Sequence, residues 1–253
     1  MMLDIGSGAF LMWNNISPRL GGEFPLMHTR DHVPEHMSYL GADGMQWARR
    51  YADGQGDMPR FFTFYGMPDL SVLSDSEHAD CRVTETQWFL KMRPDYQDRE
   101  AHHCRVVASA GGGIGGAAAT FVIDLAERHD AAEANSQASM AAFIDDLTKM
   151  PDVVTAHLFK VDWDAPLRQG LPPPGGREGN ERLGLLVLEG FDRYALSTSM
   201  EATTKALIQS GISTGVRSSA HYALAYVLGI EEIPKLKYFR RDDTLIRERY
   251  SID

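Results

Sequence analysis

Residues 28–36 read His-Thr-Arg-Asp-His-Val-Pro-Glu-His (HTRDHVPEH), which brings three histidines, Glu35 and Pro34 into one short segment. The apolar, aromatic run at residues 9–15 predicts a strand before this segment, and residues 45–51 predict a strand after it. Ser17 and Pro18 are typical of a helix start, so a helix is predicted over residues 18–33, with Pro34 ending or kinking it. The three histidines are therefore expected near the end of a helix that covers a sheet.

The remaining segments continue a β-α-β-β-α-β order, which then recurs after the glycine-rich run at residues 111–116. Hydrophobic periodicity predicts further strands at 60–66, 101–110, 117–125, 153–161, 183–191 and 220–229. It predicts further helices at 69–76, 84–92, 131–150 and 200–210. The repeated order predicts an α+β chain of two tandem ferredoxin-like units, residues 1–112 and residues 113–253.

Two local features distinguish the second unit. Residues 163–181 contain three consecutive prolines and a glycine pair and are predicted to form a long loop. The tail from residue 231 is a charged arm whose apolar side chains, among them Phe239, Leu245 and Ile246, need burial on this chain or on a partner subunit. Ala220-His221 echoes Ala101-His102, so His221 is expected to be the counterpart of His102.

The composition and charge of the chain limit the classes of partner that are expected. The formal charge of −10 argues against nucleic acid or an anionic membrane as the main partner. The N-terminal residues have neither a basic region nor a long apolar run, so no signal peptide or membrane span is expected. Two cysteines do not form a secreted disulfide framework. We therefore expect a cytoplasmic protein that acts on a small molecule.

The first 52 residues resemble the dimeric α+β barrel superfamily, nearest its EthD-like branch. The resemblance lies in a strand ending Trp-Asn, a helix carrying His-x3-His-x-Pro-Glu, and a strand ending Arg-Arg-Tyr. His36 stands where that branch often has arginine. The resemblance implies sheets packed into a barrel, and we expect a homodimer. The superfamily includes cofactor-free monooxygenases, cyclases, isomerases, a lyase and haem enzymes, so fold does not fix function.

The histidine segment is the predicted catalytic centre. His28 and His32 are spaced i, i+4 and share a helix face, where an imidazole suits proton transfer near neutral pH. His32 is the expected acid or base and Glu35 its partner, with His28 and His102 as further catalytic candidates. The plain alternative for each is a histidine that serves only packing or a backbone hydrogen bond.

The other candidates would line a substrate pocket. They are strand residues with aromatic or polar side chains, together with His36: Trp13, Asn14, Trp47, Arg50, Tyr51 and Tyr65. Aromatic residues at alternate strand positions more often form core than pocket. A metal held by His28, His32 and Glu35 or His36 is the less favoured alternative, because Pro34 is expected to take His36 off the helix stripe. We expect no metal and no cofactor.

These residues predict a cofactor-independent enzyme, of lyase, isomerase or cyclase type, acting on a small aromatic or carbonyl compound. The alternatives are a monooxygenase of the same superfamily, cofactor-free or haem-bearing, and a non-catalytic small-molecule-binding protein. One site per chain is expected, because residues 131–150, the helix of the second unit, contain no histidine.

Overall fold

The computed structural model describes residues 5–39, 41–74, 86–127, 134–165, 181–235, 239 and 244–251. The strands are β1 (Gly8–Ile16), β2 (Trp47–Gly56), β3 (Phe61–Met67), β4 (Tyr96–Gly111), β5 (Ala117–Leu125), β6 (Val153–Val161), β7 (Leu183–Gly190) and β8 (Ser213–Gly229). The α-helices are α1 (Phe24–Met27), α2 (Val33–Ser38), α3 (Gln87–Met92), α4 (Ala134–Leu147), α5 (Arg193–Gln209) and α6 (Thr244–Tyr250).

The eight strands form one closed antiparallel barrel in the order β1-β3-β2-β8-β5-β7-β6-β4. Each half contributes the ferredoxin-like order 4-1-3-2, and the long strands β4 and β8 pair with β6 and β2 of the other half. This confirms the predicted α+β class and tandem ferredoxin-like order. Because the joining pairs lie within one chain, the barrel closes without a second subunit.

Side-chain alternation divides the barrel into an inside and an outside. Trp13, Tyr51, Phe62 and Phe64 belong to the buried interior cluster. Neighbouring residues of the same strands point outward and pack under helices, as Phe10 and Tyr65 do. We call the side chains between residues 24–38 and the outer face of β1–β4 the front layer. The rear layer is the matching set under α4 and α5.

The front helix, residues 24–38, passes Pro34 without breaking. Its centre, His28–His32, is a π-helical turn between α1 and α2, in which the Val33 amide donates to the His28 carbonyl. The wider turn accommodates a proline that has no N–H to donate and would clash inside an ordinary α-helix. The prediction that the helix ends near Pro34 was therefore wrong, since residues 33–38 continue it.

Several predicted strands and helices also differ in length from the observed ones. β8 begins at Ser213 and β4 at Tyr96, because both strands extend to pair across the two halves. The α5 helix begins at Arg193, where the Asp192 carboxylate caps it by accepting from the Tyr194 and Ala195 amides. The expected helix at 69–76 is a 3-10 turn at Leu70–Ser74. Most of the predicted 163–181 loop lies outside the described residues.

The C-terminal arm packs back on the front half of its own chain. Phe239 contacts the front cluster, and its amide donates to the Ser38 hydroxyl at 2.9 Å. Ile246 packs beside the cluster around Phe24 and Trp88, whereas Leu245 stays exposed. The helix α6 is therefore anchored on one face without a partner subunit.

Strand register gives the true equivalence between the halves. Gly66 pairs with Ala9 and Trp47, and Glu189 pairs with Ala118 and Thr155 in the same pattern. Counting from these anchors, His103 and His221 are equivalent, because they pair with Phe10 and Ala119. The expected equivalence of His221 with His102 was wrong by one residue, and Ala220 takes the place of His102.

Candidate functional site

The front layer holds buried polar groups that the described residues leave without hydrogen bonds. His28 is fully buried, and neither of its ring nitrogens has a hydrogen-bond partner in the part of the chain that the structure describes. Burial lowers the pKa of His28 well below 6.5, and the charges of Arg50, His32 and Arg99 lower it further. The ring is therefore a neutral imidazole at physiological pH.

Arg50 lies beside His28 on the outer face of β2. Its guanidinium sits over the rings of Phe24 and Phe61, at 4.7 and 5.1 Å from the ring centroids. Nη1 donates to the Pro25 carbonyl at 3.4 Å, while Nε and Nη2 have no partner among the described residues. Burial lowers the pKa of Arg50 to about 10, so the side chain is still a cation at neutral pH.

Asn14 adds an acceptor to this layer. It pairs with Phe61 across β1 and β3 and therefore shares the outward face with the Phe24 and Phe61 rings. Its Nδ2 donates to the Asn15 carbonyl at 3.0 Å, and its buried Oδ1 has no hydrogen-bond partner within the described ranges. Asn14, His28 and Arg50 thus present an acceptor, a base and a cation under one helix.

The three histidines of the front helix form one continuous row. The ring centroids of His28 and His32 are 5.1 Å apart, and those of His32 and His36 are 5.6 Å apart. His32 is half-buried and stacks on Phe89 at 4.5 Å, and His36 meets Tyr65 edge-on at 5.4 Å. The expectation that Pro34 would take His36 off the stripe was wrong, because the π-turn keeps the helix going. Glu35 is buried on the same helix.

The structure separates the predicted site residues into two groups. Asn14, His28, His32, Glu35, His36, Arg50 and Tyr65 belong to the front layer. Trp13, Trp47 and Tyr51 face the barrel interior, and His102 lies there beside Trp13, at a ring-centroid distance of 6.2 Å. The sequence analysis included strand residues from both faces of the sheet, because the pattern of a single strand does not say which face packs under the helix.

Sequence reasoning missed the aromatic and charged neighbours that shape the front layer. Phe24 contacts His28, Phe61 and Tyr96 at ring-centroid distances of 5.3, 4.9 and 5.4 Å. Arg99 acts on His28 through its charge. Phe24 lies inside the predicted helix, and its i, i+4 spacing to His28 was the signal that could have found it.

The rear layer has apolar side chains at the positions that are equivalent to polar residues of the front layer. Leu158, Leu186 and Leu188 occupy the register positions of Arg50, Thr63 and Tyr65. All three are buried in an aliphatic cluster with Ile144 and Leu196. The buried base and cation of the front layer therefore have no counterpart at these rear positions.

A second polar cluster lies inside the barrel and is centred on Glu189. The Glu189 carboxylate accepts hydrogen bonds from Arg49 and Tyr51, and from Thr155 at 2.9 Å. His157 lies 3.6 Å from the same carboxylate and shares a 2.8 Å hydrogen bond with Ser109 through Nδ1. Burial favours a raised pKa for Glu189, but the His157 ring and the Arg49 charge outweigh it and lower the pKa. The cluster neutralises its own charges and closes one end of the barrel.

Neither a metal-ligand group nor a membrane-spanning helix was found among the described residues. No set of at least three His, Cys, Asp or Glu side chains is arranged to hold an ion in that part of the chain. Likewise, none of the described helices is both long and apolar enough to cross a bilayer.

Comparisons with known proteins show a similarity in fold alone. No model of a protein family matches the chain, and no curated protein matches it. The crystal structure of an anthrone oxidase-like protein is similar over 92% of this chain and 96% of its own, with 12% identity and a TM-score of 0.60. Two other similar structures are proposed monooxygenases with 8% identity. The one from Fusobacterium nucleatum covers 88% of this chain and 95% of its own (TM-score 0.55), and the one from Lactobacillus acidophilus covers 88% and 97% (TM-score 0.51).

Proposed function

We propose that this chain is a cofactor-independent monooxygenase that removes a proton from a small aromatic ketone or phenol and lets the resulting anion react with O2. We further propose that it belongs to the EthD-like branch and that its single site is the front layer. The observation that carries the proposal is that both ring nitrogens of His28, and Nε and Nη2 of Arg50, are buried without hydrogen-bond partners among the described residues. The named fold relatives support the oxygenase reading over the lyase, isomerase or cyclase reading.

His28 is suited to act as the base. A buried imidazole beside guanidinium groups is held in its neutral form and has a lone pair available at neutral pH. Both ring nitrogens lack partners among the described residues, so neither is already committed to a structural hydrogen bond. This reassigns the role first given to His32, whose half-buried ring stacks on Phe89 between His28 and His36. His32 would then pass the proton along the row.

Arg50 is suited to hold the negative charge that develops. Its Nε and Nη2 are preorganised donors in an apolar surrounding of Phe24 and Phe61, where an oxyanion would gain more than in water. The aromatic rings also favour an aromatic substrate. The packed front layer would have to open to admit the substrate; the acceptor of Asn14 would then receive a substrate hydroxyl, and Tyr65 and His36 would lie beside it.

The chemical step is balanced with O2 as the co-reactant. His28 takes a proton from a CH2 group that is conjugated with the ketone through the aromatic rings, and the electron pair delocalises onto the carbonyl oxygen beside Arg50. The carbanion reduces O2 and forms a C–O bond, which gives a peroxide anion that the imidazolium protonates. Loss of water from the hydroperoxide leaves a new carbonyl group, so CH2 and O2 become C=O and H2O.

A haem does not fit the front layer as it is packed. A porphyrin needs a slot beside an axial histidine, but the His28 ring is fully buried and touches Phe24 and His32. His32 is stacked face to face on Phe89, with an interplanar angle of 8°. The proposal therefore uses no step through haem.

Oxygen uptake with anthrone as the test compound checks the proposal. Wild-type protein should consume O2 and form the diketone, while His28→Gln and Arg50→Met should each lower the rate about 100-fold or more. The control is His221→Gln. His221 is a half-buried histidine of the rear half, outside the front layer, so this variant should retain full activity. Wild-type turnover of anthrone without O2 consumption, or full activity in His28→Gln, would overturn the proposal.

A further inference from the structure

A cavity of about 460 Å³ opens at one mouth of the barrel, on the inner side of the sheet from the front layer. One wall is formed by residues near the start of β4, namely Asp98, Arg99, Glu100 and His102. The opposite wall is formed by Val122 of β5, Leu183 of β7, and Arg217 and Ser218 of β8. This volume lies in the range of small-molecule sites. The polar Glu189 cluster lies at the other end of the same barrel, because Glu189 ends β7 where Leu183 begins it.

Among the wall residues, His102 has a buried ring nitrogen without a hydrogen-bond partner in the described part of the chain. The side chain is 3% exposed, and Nε2 lies 2.8 Å from the Glu100 carboxylate. Because a carboxylate accepts, Nε2 carries a proton, and in the neutral ring Nδ1 presents a lone pair. Nδ1 is buried without a partner among the described residues. A ligand that donates a hydrogen bond would satisfy it, and leaving it empty costs free energy.

The charges around the mouth already have partners. Arg217 donates through Nε to Asp124 at 2.9 Å, and Asp98 accepts from Asn15 at 2.8 Å. Glu100 is engaged by His102, and Arg99 lies 5.9 Å from the Tyr96 ring. A charged ligand would have to displace one of these contacts, whereas an uncharged one would not.

The rest of the wall favours a ring. Val122 and Leu183 supply apolar surface, and Trp13 meets the His102 ring edge-on at a centroid distance of 6.2 Å. Ala220 occupies the position in the second half that is equivalent to His102 in the first half. The acceptor of His102 therefore has no counterpart at the equivalent position. An uncharged aromatic ring bearing a hydroxyl matches these features.

We propose that the barrel mouth is a second ligand site, separate from the front layer, that binds a small uncharged phenol through donation from its hydroxyl to Nδ1 of His102. The site would act as a binding pocket. It is independent of the function proposed for the front layer.

Calorimetric titration with phenol and with anisole, which lacks the hydroxyl proton, tests the proposal. Phenol should bind about 3- to 10-fold more tightly than anisole, the ratio expected for one neutral hydrogen bond. His102→Leu should remove that preference, and His221→Leu should leave it unchanged. In wild-type protein, phenol should also shift the ¹⁵N resonance of His102 Nδ1, which keeps the test valid if His102→Leu fails to fold.

The location is checked with a front-layer variant. Arg50→Met should leave the phenol-induced shift of the His102 Nδ1 resonance unchanged, because Arg50 lies on the outer face of the sheet. Equal affinity for phenol and anisole, an unmoved Nδ1 resonance in wild-type protein, or a shift that is lost in Arg50→Met would each overturn the proposal. Loss of anthrone oxidation in a variant that still binds phenol would concern the front layer alone.

Discussion

Replacing Glu189 with glutamine tests the most heavily buried ion pair of the barrel. Glu189 is fully buried and accepts from Arg49, Tyr51 and Thr155, and Arg49 is itself only 2% exposed. Glutamine keeps the shape but removes the charge, so the Arg49 guanidinium stays in the interior without a counterion. Breaking a buried pair in this way costs about 3–5 kcal/mol in the free energy of unfolding. In a chain of this size that corresponds to a fall in Tm of roughly 10 °C.

Urea unfolding of the purified protein measures this cost. The double variant Arg49→Met/Glu189→Gln should regain much of the loss, because it removes the orphaned cation as well. The matched control is Glu201→Gln, whose exposed i, i+4 pair with Lys205 should change stability by less than about 1 kcal/mol. A Glu189→Gln protein as stable as wild type, or a double variant less stable than the single one, would refute the reasoning.

Three further predictions follow from the structure. First, because the lowered pKa of Glu189 makes its carboxylate stabilising above the ordinary value of 4.5, that stability should be lost only as pH falls below 4.5, through the folded pKa; an acid-unfolding midpoint that does not change in Glu189→Gln would contradict this. Second, because the pKa of His28 is lowered from 6.5, kcat/KM for anthrone should stay on its plateau at pH 6.5 and fall only at lower pH; a fall centred at or above 6.5 would contradict it. Third, Gly66→Ala would place a methyl group 2.3 Å from the Trp47 ring and should cost about 1–3 kcal/mol, whereas Gly22→Ala, with open space around it, should be close to neutral when both are compared by thermal unfolding.

The periodic part of the fold was predictable because burial and hydrogen bonding follow local patterns. Residues 117–125 and 153–161 were predicted as strands with the observed bounds. The early part of β8 was missed because residues 213–219 are rich in Ser, Thr and Gly, and pairing with β5 decides their state. Pro34 misled the helix prediction because a π-turn is a tertiary solution that the propensity of proline does not reveal.

The site was predictable in composition but not in arrangement. The histidine segment and Arg50, both named from the sequence, lie together in the front layer, where the sequence favoured His32 as the base. The burial of His28 beside Phe24 and the charge of Arg99 on β4 both depend on tertiary packing. Likewise His102 and His103 could only be assigned to opposite faces, and register placed His102 inside the barrel. The pairing of distant strands decides which face of the sheet a side chain occupies and whether it is buried. A local sequence pattern does not contain that information.

The division of the chain at residues 112 and 113 and the homodimer remain predictions. Gly111 ends β4 and Ala117 begins β5, so the glycine-rich run joins the two halves of the barrel. Cytoplasmic residence also remains a prediction.

The measurement that tests the central claim most directly is anaerobic exchange of the CH2 protons of anthrone into ²H2O, followed by proton NMR. It isolates proton removal from every later step with O2. Wild-type and His221→Gln proteins should accelerate the exchange above the buffer rate, and His28→Gln should lower that acceleration about 100-fold or more. Exchange that proceeds equally fast in His28→Gln, with the fold intact by circular dichroism, would contradict the assignment of His28 as the base.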